Sequence, residues 1–390
     1  MTYAFLLYPH ANVRYRQSLL QLATQELAMT LTALGREAEV APKEMGGATF
    51  LTFEAAMLTE RDMRMLSQLA SVYMLFSMED GRLTPIARTH PNYVGEDLPA
   101  LLKYKGKTNE MFTDTMLTMA LAASAFMPVH DSQLVVCDPM AGRGTTLMLA
   151  LRRGYHGVGL EIGKADVKEA ADYMTRYLEF HRIKYKRTDS ALTVRGQVGG
   201  RENKFVFSDS AEHFKAGDTR TLRLICGDTR EAAALLKPNS VHLMVTDAPY
   251  GVQKGTAGRQ DSIGGTIAAA LPGWHSVLKP GGVLAISFNT HVTKRDALIR
   301  LMEKAGFEAV QTANLEHWVE QAISRDVLCY AMQTLRCCFI VAHVHDELII
   351  EADPRMSLEA VCEQMGRTPP WAPGLHLRAD GYATDFYKKD

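Results

Sequence analysis

Five short apolar runs separated by helical patterns and glycine-rich turns dominate the middle of this 390-residue chain. They are Leu134 to Cys137, Gly157 to Leu160, Leu222 to Cys226, Val241 to Val245 and Gly282 to Phe288. Strands that are apolar along their whole length and alternate with helices are buried on both faces. That pattern predicts an α/β fold built on a parallel sheet. The polar stretch 187–220, with Gly199-Gly200, breaks the rhythm and reads as an exposed insertion. Asn109 to Phe126 reads as a helix ahead of the first of these strands.

In front of this region the chain reads strand, helix, strand, helix. Tyr3 to Tyr8 and Ala48 to Phe53 are the strand candidates. Arg16 to Leu34 and Thr59 to Leu75 carry apolar residues at helical spacing. A small α+β unit over residues 1–90 follows, and Pro85, His90-Pro91 and Pro99 read as a linker. With 47% hydrophobic and 22% charged residues the chain is too apolar for disorder. A net charge of −1 argues against a polycation wrapped on nucleic acid, though a local basic face remains open. The longest apolar runs are too short to span a bilayer, the start lacks a signal-peptide pattern, and six cysteines show no C-x-x-C spacing. The expectation is a cytoplasmic protein with reduced thiols and no membrane partner.

Two loops carry the chemistry. The first, Asp138-Pro139-Met140-Ala141-Gly142-Arg143-Gly144-Thr145-Thr146, joins an apolar strand to a helix. Open α/β sheets bind ligands at such strand ends, where glycines let the backbone approach closely and the helix presents free N–H groups. Glu161, 23 residues after Asp138, ends the next strand, where a carboxylate can accept from both hydroxyls of a ribose. No Lys-Ser/Thr pair follows the glycines, so a phosphate loop is excluded, and G-x-G-x-x-G is incomplete. The sequence resembles the D-P-x-x-G-x-G-T-T motif of S-adenosylmethionine-dependent amino-methyltransferases. That resemblance implies that Asp138, Pro139, Gly142, Gly144 and Thr145 hold the cofactor, its methionine part lying against Asp138, Gly142 and Gly144. Glu161 would then hold the ribose.

The second loop, Thr246-Asp247-Ala248-Pro249-Tyr250-Gly251, follows the strand Val241 to Val245. The amine of an aromatic base is a weak nucleophile because its lone pair is delocalised. Methylating it calls for acceptors that orient the N–H bonds and a flat surface for stacking. Asp247 and the Ala248 carbonyl can accept, Pro249 stiffens the turn, and Tyr250 offers a π face. The loop resembles the D-P-P-Y motif of nucleic-acid amino-methyltransferases, with Ala248 in place of the usual proline. The acceptor carbonyl survives that change, but the loop loses rigidity.

Supporting positions belong to the same resemblance. Gly227-Asp228 ends a further strand where this family places a partner for the adenine amine, although Asp228 equally reads as a helix N-cap. Thr108 and Asn109 open the helix before the first strand, and in similar enzymes that segment closes over the cofactor's carboxylate end. The order of segments resembles the THUMP-associated tRNA guanosine N2-methyltransferases. It implies a Rossmann-like methyltransferase sheet over 95–328 behind a ferredoxin-like front domain that presents RNA. The expected reaction is methyl transfer to a base amine, with guanosine in tRNA as target and DNA adenine or cytosine as the alternative. The basic segment after Tyr173, with Arg176, Arg182, Lys184 and Lys186, reads as a solvated helix end more than as a nucleic-acid track.

Between Val319 and Cys329 the sequence changes character. Phe339 to Val344, His345-Asp346-Glu347 and Leu348 to Ile350 resemble motif C of family A DNA polymerases, and 329–390 reads as a phage-type polymerase end. Two-metal nucleotidyl transfer needs carboxylates from two strands, and the family's other acidic motif is missing. Asp346 is at best a weak ligand for one cation, so no metal site is expected. The alternative of another class is a nucleic-acid-binding polymerase remnant.

Overall fold

The structure, a computed structural model, describes residues 1–9, 13–88, 92–102, 107–127, 131–194, 196–248, 263–290, 293–310, 335, 339–344, 347–351, 356–368, 377–379 and 381–383. The chain divides into two compact units, Met1–Leu315 and Glu316–Asp390. The division falls just ahead of the stretch where the sequence changes character.

The first unit opens with β1 (Thr2–Leu7), α1 (Val13–Ala33), β2 (Ala41–Met45), β3 (Ala48–Glu54), α2 (Glu60–Leu66), β4 (Val72–Glu79) and β5 (Arg82–Ile86). The strands form one antiparallel sheet in the order β2-β3-β1-β4-β5, a ferredoxin-like βαββαβ arrangement with one added edge strand. Tyr3, Phe5 and Leu7 alternate inward and pack against Leu27 and Leu31 of α1. The helix expected over Thr59 to Leu75 stops at Leu66. Thr59 and Asp62 form a reciprocal capping box at its start. Residues 72–75 belong to β4, because Val-Tyr-Met-Leu-Phe is β-branched and aromatic and extends a pleated surface beside β1. Pro85, expected in a linker, lies in β5, the sheet's edge, where a missing N–H costs no ladder bond.

The second layer begins with α3 (Leu98–Leu101) and α4 (Glu110–Ala123). It continues through β6 (Val135–Asp138), α5 (Thr145–Arg152), β7 (His156–Glu161), α6 (Lys164–Phe180), β8 (Tyr185–Val194) and β9 (Gln197–Phe207). After α7 (Ala211–Ala216) come β10 (Arg220–Gly227), α8 (Ala232–Leu235), β11 (Val241–Asp247), α9 (Ile263–Val277), β12 (Leu278–Ser287) and α10 (Arg295–Lys304). The seven strands form one Rossmann-like sheet in the order β12-β11-β6-β7-β10-β9-β8, parallel except at β9. The stretch 187–220, expected to be an exposed insertion, instead supplies a long hairpin, β8–β9, that widens this sheet. Its outer face is polar because β8 is the edge, while Phe205 and Phe207 of β9 are fully buried in the core under α6.

A buried polar cluster joins the two layers. Arg153, at the end of α5, donates to Asp114 of α4 (2.9 Å), to the Gln68 carbonyl (2.9 Å) and to Thr118 Oγ1 (2.7 Å). The Tyr155 hydroxyl donates to Gln68 Oε1 (2.8 Å). Glu26 of α1, wholly buried, accepts from the Ala70 N–H (3.0 Å) and the Ser71 hydroxyl (2.9 Å).

In the second unit β13 (Phe339–Val344) and β14 (Glu347–Glu351) pair as an antiparallel hairpin, followed by α11 (Leu358–Met365) with Ser357 as its N-cap. Asp346 lies outside the described residues. Among the described residues no cluster of His, Cys, Asp and Glu is arranged to hold a metal ion, and no helix is long and apolar enough to cross a membrane.

Candidate functional site

Sheet growth reverses between β6 and β11. From β6 the chain adds β7 and then β10 on one side, and returns to place β11 and β12 on the other. Loops leaving the carboxyl ends of two such strands diverge to opposite faces and leave a crevice, the usual ligand position in open α/β sheets. The ends of β6 and β11 are Asp138 and Asp247.

Asp138 is buried, and its Oδ1 accepts from the Met140 N–H (3.1 Å). Burial pushes its carboxyl up to about 6, against the pull of the Thr146 hydroxyl and the Met140 N–H, and the nearby Asp247 adds to the rise. Gly142 (φ 51°) and Gly144 (φ 88°) both adopt the left-handed region, which turns the chain into α5 at no steric cost. A Cβ on Gly142 would meet nothing within 4 Å, so the loop leaves open space above that residue. Glu161 staples the loop in place: its Oε2 accepts from the Gly142 N–H (2.9 Å) and its Oε1 from the Gly163 N–H (2.7 Å). Arg143 ties the loop to α6 through Asp166 (2.9 Å) and Glu169 (2.7 Å). Sequence reasoning missed the roles of Gly163 and Arg143. A glycine two residues after the strand-end acid was the available signal for the first.

Asp247 accepts from the Thr108 hydroxyl at 2.6 Å, across 139 residues of sequence. Asn109 instead caps α4, its Oδ1 accepting from the Phe112 N–H (3.1 Å). Lys107 pairs with Glu110 (2.5 Å) and donates to the Pro99 carbonyl (2.6 Å). Thr108 and Asn109, grouped in the sequence as one segment, therefore face different partners. Ala248 is buried, and its N–H donates to the Ser287 carbonyl (2.9 Å), which fixes the start of the second loop to β12. Pro249 and Tyr250 lie outside the described residues.

Pairing registers extend the site along the sheet edge. Asp138 sits opposite Gly159, Glu161 opposite Cys226, and Cys226 opposite Arg201. Cross-strand neighbours and residues two apart share a face, so Asp138, Glu161, Cys226 and Arg201 project from the same face. Burial raises the Cys226 thiol, Lys164 and Arg201 pull it back, and Glu161 adds to the rise, so these charges converge there. Asp228 caps the turn after Gly227: its Oδ1 accepts from the Arg230 N–H (2.9 Å), and its carboxylate pairs with the Arg230 guanidinium (2.6 Å). The N-cap role read from the sequence is thus present. A Cβ on Gly227 would come within 2.9 Å of Leu235 Cδ1, so a side chain there would push the leucine tip aside.

No protein-family model matches the chain. It is 42% identical over 76 residues to a DNA polymerase of Bacillus phage SP02, a match covering 18% of this chain and 12% of that polymerase. Among solved structures it is similar to PH0851 (10% identity, TM-score 0.33, 82% of this chain and 54% of that one). It is similar to the rRNA methyltransferase aviRa from Streptomyces viridochromogenes (17% identity, TM-score 0.29, 48% of this chain and 78% of that one). A further similarity is to the T. thermophilus 16S rRNA N2 methyltransferase RsmC in complex with AdoMet and guanosine (17% identity, TM-score 0.32). That likeness covers 72% of this chain and 56% of RsmC. The chain thus spans only about half the length of PH0851 and of RsmC.

Proposed function

We propose that the chain transfers a methyl group from S-adenosylmethionine to the exocyclic amine of a nucleic-acid base, with guanosine in tRNA as the target. The observation that carries this reading is that β6 and β11, which end at Asp138 and Asp247, are neighbours where sheet growth reverses, with Thr108 bonded to Asp247. The residues fit the cofactor's chemistry. S-adenosylmethionine brings a sulfonium, an ammonium and a ribose diol, and when bound supplies an electrophilic methyl group. The edge offers the carboxylates of Asp138, Glu161 and Asp228 and an open glycine loop. Asp138, Gly142, Gly144 and Thr145 hold the methionine end, Glu161 the ribose diol, and Gly227-Asp228 the adenine side.

On the substrate side, Asp247 and the Ala248 carbonyl accept from the amine and orient it. Thr108 holds the Asp247 carboxylate in one rotamer through the 2.6 Å bond, so it acts as a positioning residue. Pro249 and Tyr250 complete the loop in this reading. The ferredoxin-like sheet over residues 1–90 presents the RNA, and the tail over 329–390 is a polymerase-like fragment without nucleotidyl transfer activity. Calorimetry with S-adenosylmethionine, followed by mass spectrometry of nucleosides from treated RNA and DNA, tests the proposal. Cofactor binding with methylguanosine in tRNA is expected, methylated DNA bases would move the target to DNA, and no cofactor binding would end the reading.

A further inference from the structure

The β8–β9 hairpin runs past the end of the sheet. Its ladder with β10 finishes at Gly200 opposite Gly227, and the described hairpin residues beyond it, 193–194 and 196–199, overhang the carboxyl edge where the site residues lie. The overhang is bent. The β8–β9 register shifts between Leu192 and Thr193, skipping Gly199, where a Cβ would come within 2.4 Å of Val194 Cγ2. A bulge of this kind re-aims a strand end and increases its twist. At the base of the overhang stands Arg201, exposed and level with Cys226 and Glu161 in the ladder. Lys164, in the first turn of α6, is the other exposed cation close to Cys226. Among the described residues neither Arg201 nor Lys164 is in an ion pair, whereas the neighbouring Arg143 and Arg223 are both neutralised by carboxylates. Val198 and Ile162, 67% and 69% exposed, flank them.

We infer that the β8–β9 overhang, through Arg201 together with Lys164, grips the phosphate backbone of the nucleic acid whose base enters at Asp247. The inference rests on the nucleic-acid methyltransferase reading and deepens it. Two unneutralised cations on separate elements, at one end of an edge otherwise lined by acids, complement a polyanion that runs along that edge. The geometry sets the distance. Four strand spacings of about 4.8 Å separate β11 from β9, so Arg201, the far end of the grip, lies about 19 Å from the base site. At about 3.4 Å of rise per stacked nucleotide, that is roughly six nucleotides from the target.

The test uses the full chain and a labelled single-stranded RNA of about 20 nucleotides. Fluorescence anisotropy as a function of salt is measured for the wild type, Lys164→Ala/Arg201→Ala and Arg176→Ala, a control change on the solvent side of α6. The double variant should bind at least 10-fold more weakly at 100 mM salt. Its log K against log salt slope should be shallower by about 1 to 2. A three-nucleotide RNA should bind wild type and double variant equally. Cofactor affinity by calorimetry should stay within twofold. The inference is overturned if affinity and slope are unchanged, if Arg176→Ala produces the same loss, or if the double variant instead loses the cofactor. If the wild type binds no cofactor yet the RNA results hold, the methyltransferase reading fails and the grip stands.

Discussion

Replacing Glu161 by alanine separates a loop staple from a ligand-holding acid. Its two oxygens take N–H bonds from Gly142 (2.9 Å) and Gly163 (2.7 Å), both charge-assisted and both on a half-buried side chain. Bonds of this type are worth about 1.5 to 3 kcal/mol when fully buried. Here water can reach the released N–H groups, so the fold should lose only about 1 to 2 kcal/mol. Each oxygen keeps a lone pair directed away from the backbone, enough to accept one ribose hydroxyl. Losing two such bonds should weaken S-adenosylmethionine binding by about 2 kcal/mol, roughly 30-fold in Kd. Denaturant melts and calorimetry on the same preparation read the two quantities separately. Glu161→Gln keeps one acceptor for a backbone N–H but turns an NH2 toward the other, so it should fall between wild type and Glu161→Ala in both. If Glu161→Ala lowers stability while cofactor affinity stays within twofold, the residue is a staple alone and the ribose assignment is refuted.

Thr108→Val should cut methyl transfer about 10- to 100-fold with cofactor affinity unchanged, and Thr108→Ser should restore it; equal rates in the valine variant would show that the bond to Asp247 positions nothing. Asp247→Ala should lower the rate about 10²- to 10³-fold and leave cofactor binding nearly intact, measured in single turnovers. Asp138 carries a carboxyl raised to about 6, so the folded state holds its proton more tightly than the unfolded chain, and stability is lost as pH rises from about 4 through 6. Asp138→Asn should therefore be about 2 to 3 kcal/mol more stable than wild type at pH 8, converge with it near pH 4, and bind the cofactor poorly; equal urea midpoints at pH 8 would contradict this. Primer extension with magnesium or manganese should give no templated product, and Asp346→Ala should leave methyl transfer within a few fold.

Much of the parallel sheet was legible because its strands are apolar on both faces and each ends at a turn signal. Asp138, Glu161, Gly227 and Asp247 all fall at strand ends for that reason. The hairpin was not legible. Edge strands expose one face and part of the other, so β8 reads as polar sequence, and only Phe205 and Phe207 betray the buried side of β9. In the front domain Met63, Leu66 and Leu69 set a helical period that happens to run on into Leu75, although Ser67 already ends α2. The pairing of Thr108 with Asp247 had no signal at all in the sequence. It depends on α4 packing beside β11 and β12, a long-range contact that no local pattern encodes.

The distribution of charge along the sheet edge ties the site to the proposed reaction. Asp138 is buried next to the end of β11, and a neighbouring carboxylate on Asp247 makes its ionised form still less favourable. An asparagine or a threonine at this position would avoid that cost, since the interactions that shift the Asp138 carboxyl are hydrogen bonds and the Asp247 charge. A cationic ligand removes the penalty, because ionised Asp138 beside a positive charge is favoured over the protonated form. The same ligand would be repelled at the β9 end, where Arg201 and Lys164 are in no ion pair among the described residues. In the proposed reaction the two ends of one edge therefore take opposite charges: a cation over β6 and a polyanion beyond β10. Bringing a cationic methyl donor to an amine on a polyanionic substrate requires that separation, because a uniformly acidic edge would repel the nucleic acid and a uniformly basic one would repel the donor.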